Sequence, residues 1–260
     1  MLLAVDIGNS SIRFGVFDFN DIKTPLCSFS VASNVNRSSD EYELIIRGIL
    51  KSKLSDCSCH RAVISSVVPS ITHSVTKAVA SITSSVPFII GAGTHTGFKI
   101  KTDDPAELGA DMVSNAAAAL SLAEAPLVIA DLGTATTLSV INSEREFAGS
   151  IIIPGARLSF DALADSAELL NKASFTRPRE LVGKNSADSI TSGVINGNIF
   201  MIDGFIRTLR EQLCKNGESL SLIATGGLSD IIIPHCRNKF TIVENLTLIG
   251  SAILYFKNRK

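Results

Sequence analysis

The sequence predicts an α/β fold of two lobes, each a mixed sheet flanked by helices. Two observations carry this. Apolar runs of strand length alternate along the chain with segments of helical apolar spacing. An apolar run ending in Asp-apolar-Gly with small polar residues also occurs twice, at Asp6-Ile7-Gly8-Asn9-Ser10 and at Asp131-Leu132-Gly133-Thr134-Ala135-Thr136-Thr137, each followed by a returning strand. The two aspartates stand 125 residues apart. No stretch rich in proline, glycine and serine separates the halves, so packed lobes over 1–118 and 119–260 are expected rather than independent modules.

The elements follow in order. Leu2 to Val5 is a short apolar strand ending at the Asp6 turn, and Ser11 to Phe19 alternates as its hairpin partner. A third strand falls near Leu26 to Ala32. Asp40 to Lys53 carries Tyr42, Ile45, Ile46, Ile49 and Leu50 at helical spacing. Arg61 to Val68 is a buried strand stopped by Pro69; a helix near Ser70 to Ser81 and a strand over Pro87 to Gly91 come next. Leu108 to Glu124 is an alanine-rich helix suited to close packing. The pattern then restarts with strands Pro126 to Ala130, Leu138 to Ile141 and Glu146 to Ile153, the last ended by Pro154-Gly155. Helices are expected over 156–170, 187–216 and from 246, and a strand, Ser221 to Ala224, runs into Thr225-Gly226-Gly227.

Composition narrows the class. Apolar residues make up 45% of the 260 and charged residues 19%, with mean hydropathy +0.30, as in a globular chain with a real core. A net charge of −1 gives no overall drive toward nucleic acid or an anionic membrane, and 6% aromatic residues without Trp offer no stacking platform. No apolar stretch reaches the roughly 18 residues of a membrane span, and the first residues lack the basic region of a signal peptide. Arg177, Arg179 and Lys184 cluster in one loop-like stretch, read as solvated surface. Five cysteines, an odd number without framework spacing, read as reduced thiols of a cytoplasmic protein. Cys57-Ser58-Cys59-His60 has no second ligand pair nearby and is not read as a metal site. His60, His73, His95 and His235 stand singly, as structural or surface residues.

The loops suit a nucleotide. Gly8 and Gly133 permit tight turns and close approach of phosphate. Asn9, Ser10, Thr134 and Thr136 can donate hydrogen bonds to phosphate oxygens, and Asp6 and Asp131, at strand ends, can hold a hydrated cation. Thr225-Gly226-Gly227 offers a flat backbone surface for adenosine or its phosphates, and Arg13 can meet a terminal phosphate. The P-loop, the dinucleotide Gly-x-Gly-x-x-Gly and the Gly-x-Ser-x-Gly elbow are all missing. In-line phosphoryl transfer also needs a carboxylate near the accepting hydroxyl. Asp111, in Glu107-Leu108-Gly109-Ala110-Asp111, is the candidate, although a carboxylate at that place in a helix also serves the helix dipole alone.

One family combines these stretches in this order. Asp6-Ile7-Gly8-Asn9-Ser10, Ser65-Ser66-Val67-Val68-Pro69, Pro105 with Gly109-Ala110-Asp111, Asp131 through Thr137, Pro154-Gly155, Gly183-Lys184-Asn185-Ser186, Ser192-Gly193 and Ala224-Thr225-Gly226-Gly227 give the chain a resemblance to type III pantothenate kinases over essentially its full length. The resemblance implies a duplicated ribonuclease-H-like fold of the actin and acetate-sugar kinase type. It implies ATP-dependent phosphorylation of pantothenate to 4'-phosphopantothenate, the first step of coenzyme A biosynthesis. ATP, Mg²⁺ and a monovalent cation, K⁺ or NH₄⁺, would be the cofactors, and the protein would be a homodimer with the pantothenate site near the subunit interface. By position, Asp6, Ile7, Gly8, Asn9, Ser10, Ser11, Ile12 and Arg13 would hold the ATP phosphates, with Asp6 also on Mg²⁺, and Thr134 would contact ATP. Asp111 would be the proton acceptor, Asp131 would ligate the monovalent cation, and Gly109, Ala110, Asp111, Met112 and Ser186 would contact pantothenate.

Four positions depart from the family pattern. Met112 stands where Arg usually contacts pantothenate, Thr102 where Tyr is usual, Ser186 where Thr is usual, and Gly149-Ser150 where Gly-Gly is usual. Losing the Arg removes a charge-assisted contact worth about 1.5–3 kcal/mol. Lys99, Lys101 and Lys184 are the candidate replacements. The alternatives these departures leave open are a kinase for another small hydroxy acid and a nucleotide-binding regulatory homologue.

Overall fold

In the computed structural model the described residues are 1–54, 58–165, 175, 176, 178, 180–214 and 218–259. They gather into two compact units, Met1–Leu122 with Asn245–Lys260, and Ala123–Glu244.

The sheet of the first unit has the order β3-β2-β1-β4-β5, with β1 Leu2–Ile7, β2 Ser11–Phe17, β3 Cys27–Ala32, β4 Arg61–Ser66 and β5 Phe88–Ile89. β1 to β3 form an antiparallel meander, and β1, β4 and β5 run parallel. Helices α1 (Ser39–Lys53) and α2 (Pro69–Thr83) build one core layer, in which Leu3, Val5 and Ile7 meet Tyr42, Ile46, Val75 and Val79. A capping box starts α1: the Ser38 hydroxyl accepts the Glu41 N–H, and the Glu41 carboxylate accepts the Ser38 N–H. Pro69 opens α2, where its missing N–H leaves no helical bond unmade. Leu2 and Ala4, on the other face of β1, are equally buried, because α7 (Leu246–Asn258) packs on β1, β2 and β4, and α3 (Ala110–Leu122) packs on β4 and α7. Burial on both faces is why β1 reads as an unbroken apolar run.

The second unit repeats this plan. β6 Leu127–Leu132, β7 Ala135–Ile141, β8 Phe147–Pro154, β9 Ser221–Thr225 and β10 Thr241–Ile242 take the order β8-β7-β6-β9-β10, again an antiparallel meander continued by parallel strands. α5 (Ser186–Leu213) lays Ile195, Ile199, Ile202 and Ile206 on Val128, Ala130 and Leu132, and α4 (Ala156–Asp165) and α6 (Ser229–Ile232) complete the helices. Burial repeats as well: in both β1 and β6 every residue is buried except the fifth, Asp6 and Asp131.

Several expectations change. α7 belongs to the first unit, not with 119–260, because its close partner is α3. A Cβ on Gly250 of α7 would overlap the backbone of Ser114 on α3, and Thr247 Oγ1 donates to Asn115 Oδ1 at 2.9 Å. α3 begins at Ala110 rather than Leu108, after a 3₁₀ turn over Pro105–Glu107 capped by Asp104. β10 and α6, two and four residues long, are too short to leave a periodic signal. The expected helix over 156–170 is described to Asp165, and the one over 187–216 runs from Ser186 to Leu213. Cys57, Arg177 and Arg179 lie outside the described residues, whereas Cys59 sits in the first core and Lys184 pairs with Glu180 at 3.0 Å. Among the described residues no helix is long and apolar enough to cross a membrane.

Candidate active site

In the first unit the site starts at the carboxyl ends of the parallel strands β1 and β4. The β1–β2 hairpin pairs Ile7 with Ile12, and the Gly8 N–H closes its loop on the Ser11 carbonyl at 3.1 Å. Asn9 and Ser10 stand exposed at the tip. Ile7 and Ile12 are core residues, so only their backbone groups can meet a ligand. Asp6 faces Arg13 across the hairpin and Ser65 across the parallel pair with β4, which puts the three side chains on one sheet face. Ser65 is wholly buried, and its Oγ finds no partner among the described residues. Sequence reasoning left Ser65 without a role; its signal was a hydroxyl within an otherwise apolar strand.

Asp111 is brought to the same end of the sheet. The Val67 N–H donates to the Ile7 carbonyl at 3.1 Å, and the Val67 side chain borders Gly109, the residue just before α3. A Cβ on Gly109 would collide with Asp111 Oδ1, so glycine gives the carboxylate its room. That same Oδ1 accepts the Met112 N–H at 2.8 Å. Burial pushes the Asp111 carboxyl above the ordinary carboxylate pKa, against the opposing pull of the backbone N–H bonds. A half-buried carboxylate with raised basicity, in a helix turn that borders a cavity, suits proton abstraction.

The cavity has a volume of about 640 Å³ and opens at the carboxyl ends of β4 and β5. Its walls include Ser66, Val67, Ile90, the loop Gly91–Thr96, and Leu108 to Ala110 with Val113, so the helix turn that carries Asp111 is part of its lining. That volume holds a small organic acceptor. Ile100 also contributes to the wall, whereas its neighbours Lys99 and Lys101 are exposed. Thr102, close by in sequence, has a buried Oγ1 without a hydrogen-bond partner among the described residues.

The second unit repeats the hairpin with one residue fewer in its loop. Leu132 pairs with Thr136, and the Gly133 N–H bonds the Ala135 carbonyl at 3.0 Å. Thr134 is exposed at the tip, and its carbonyl accepts the Gly155 N–H at 3.1 Å. Gly155 has to be glycine, since a Cβ there would strike the carbonyls of Thr134 and Gly133. Thr225 lies beside Asp131 in the parallel register, as Ser65 lies beside Asp6. Gly226, at φ +94°, carries the chain across Asp131 so closely that a Cβ would come within 2.6 Å of Asp131 Oδ1 and of the Leu132 backbone. Ser186 opens α5 next to the cap Asn185, whose Oδ1 accepts the Asp188 N–H at 2.9 Å.

Known proteins share this sequence and architecture. A model of the type III pantothenate kinase family matches residues 2–208. A protein of Shouchella clausii named type III pantothenate kinase is 36% identical over 262 residues, with both chains covered in full. Among solved structures, a candidate transcriptional activator of the Baf family from Campylobacter jejuni superposes with a TM-score of 0.58 at 17% identity over 98% of each chain. The activator of 2-hydroxyisocaproyl-CoA dehydratase from Clostridium difficile, with bound ADPNP, gives 0.54 at 9% identity, over 98% of this chain and 94% of that one. At such identities the structural likeness speaks for the fold alone, and it agrees with the repeated sheet order, that of a duplicated ribonuclease-H-like fold.

Proposed function

The chain belongs to the type III pantothenate kinase family, whose reaction is the ATP-dependent phosphorylation of pantothenate in coenzyme A biosynthesis, and we propose how its own residues divide that work. The observation that carries the assignment is Asp111: a half-buried carboxylate of raised basicity, next in the helix turn to Gly109 and Ala110, which line a cavity of about 640 Å³. Asp111 takes the proton from the pantothenate hydroxyl as that oxygen turns nucleophile. Gly109 and Ala110 form the floor on which the acceptor rests, with Met112 beside them and Ser186 as a further acceptor contact.

The hairpin from Asp6 to Arg13 holds the phosphates: Asn9 and Ser10 through exposed polar groups, Gly8 and Ser11 through a loop free of bulk, and Arg13 through its guanidinium. Thr134 makes the corresponding contact from the second hairpin. The residues around Asp6 fit a hydrated divalent cation, because the buried Ser65 Oγ beside that carboxylate has no hydrogen-bond partner among the described residues. Asp6, with the Ser65 hydroxyl beside it, would hold Mg²⁺, which would supply charge neutralisation for the phosphates. Asp131 is the residue we assign to a monovalent cation, K⁺ or NH₄⁺; the Gly226 backbone passes close beside its carboxylate.

A homodimer completes the reading. Gly193, Gly197, Phe200 and Gly204 recur along one face of α5 at helical spacing; among the described residues, the adjacent helix backbone aside, nothing lies within 4 Å of where a Cβ would stand on any of the three glycines, and Phe200 is 58% exposed. Helix-interior glycine costs about 1 kcal/mol against alanine, so three on one face favour close approach of a second copy. With neither Trp nor a basic surplus, the chain offers nucleic acid no general footing, and a cytoplasmic setting suits its free thiols.

The test is formation of 4'-phosphopantothenate by the purified protein with ATP, Mg²⁺ and K⁺, with other small hydroxy acids as competing acceptors. Product that requires Asp111 supports the reading; ATP binding without transfer to pantothenate overturns it.

A further inference from the structure

One wall of the acceptor cavity is held from outside the site. The loop from Gly91 to Thr96 follows the edge strand β5 and contributes Gly91, Ala92, Gly93, Thr94 and Thr96 to the lining. Within itself the loop is tied only locally: the Gly91 N–H donates to Thr94 Oγ1 and the Thr94 N–H to the Gly91 carbonyl, each at 3.0 Å. Gly93 and Gly97, at φ +87° and +82°, leave it two hinge-like positions.

The end of α7 supplies the distant ties. Asn258 reads the backbone of His95 on both sides, Oδ1 accepting its N–H at 2.8 Å and Nδ2 donating to its carbonyl at 2.9 Å. Nδ2 also donates to the Leu254 carbonyl at 2.8 Å, which fixes the amide orientation on the helix. Lys257 Nζ donates to the Thr96 carbonyl at 3.1 Å and lies where a Cβ of residue 97 would stand, so Gly97 is needed for that contact. Tyr255 meets Phe88 of β5 edge to face, with ring centroids 6.4 Å apart. All of these partners belong to the first unit.

We propose that Asn258, assisted by Lys257, is a positioning residue for the acceptor: it clamps His95 and Thr96 and so sets the shape of the cavity wall, without touching the substrate or the reacting atoms. The proposal rests on the assignment of the cavity to pantothenate. A two-point amide grip reproduces the bonding of a β-bridge and leaves the loop little freedom between its glycine hinges. Loss of the grip leaves the nucleotide hairpins as they are and weakens only what depends on the wall.

The experiment compares wild type with Asn258→Ala, Asn258→Asp and Lys257→Ala. Amide hydrogen exchange over residues 91–98 reads the clamp, and steady-state kinetics reads its use. Asn258→Ala is expected to speed exchange at His95 and to raise KM for pantothenate about five- to tenfold, with KM for ATP unchanged, as loss of one to two hydrogen bonds dictates. Asn258→Asp keeps the acceptor and loses the donor, and should fall between wild type and Ala. Should Asn258→Ala fail to fold, Lys257→Ala, at an exposed position, carries the same test with a smaller expected effect. Unchanged exchange at 91–98, or equal changes in both KM values, would overturn the clamp. Wild type without pantothenate turnover would overturn the substrate assignment instead, while the exchange measurement still decides whether the clamp exists.

Discussion

Replacing Asp111 by Asn separates catalysis from architecture. The amide keeps an oxygen at the position of Oδ1, so it can go on accepting the Met112 N–H that the carboxylate accepts at 2.8 Å, and the first turn of α3 has no reason to fray. The substitution removes the charge and the proton-accepting capacity. General-base catalysis contributes about 10²–10⁴-fold, so kcat for phosphopantothenate formation should fall by that factor, with ATP affinity by calorimetry unchanged. Stability supplies an independent reading. Burial holds the native Asp111 pKa above its ordinary 3.8. Between those two values the folded protein keeps a proton that the unfolded chain has released, so stability falls as pH rises through that window, and the deficit persists above it. Asn cannot ionise. Urea unfolding without ligand should therefore find the variant at least as stable as wild type at pH 8, with a flatter pH dependence above pH 3.8. Turnover within tenfold of wild type would refute the role of Asp111 as base. A variant clearly less stable at pH 8 would refute the claim that burial of the charge dominates at this site.

Three further outcomes are expected. Ser65→Ala removes a buried hydroxyl with no partner among the described residues, so the ligand-free protein should lose no stability, while Mg²⁺-ATP affinity should fall about three- to tenfold by titration calorimetry. Gly226→Ala places a Cβ within 2.6 Å of Asp131 Oδ1 at a backbone φ of +94°; denaturant unfolding should show a loss of about 1–3 kcal/mol, and any activation by K⁺ over Na⁺ should shrink with it. Phe200→Glu puts a charge on the exposed glycine-lined face of α5, and sedimentation velocity should show dimer giving way to monomer while thermal unfolding of the monomer is little changed.

The sequence by itself determined the two hairpins and the duplication they imply. An Asp-x-Gly turn after an apolar strand is local chemistry, written in adjacent residues, and the identical burial of β1 and β6 follows directly from it. The position of Asp111 was legible too, although residues alone could not tell a base from a helix-dipole carboxylate; its raised pKa and its place in a helix turn that borders a cavity are what we base the proposed role on. What only the tertiary structure decided is which surfaces meet. The apolar stripe of α7 marks it as a packing helix without naming its partner, and the fit of Gly250 against Ser114 joins it to the first unit. Ser65 is an ordinary strand serine until the parallel register sets it beside Asp6. His95, between the lining residues Thr94 and Thr96, and the amide of Asn258 that holds it lie 163 residues apart. Local sequence encodes the geometry of a turn, whereas contacts between distant segments depend on the packing of the helices and strands that separate them.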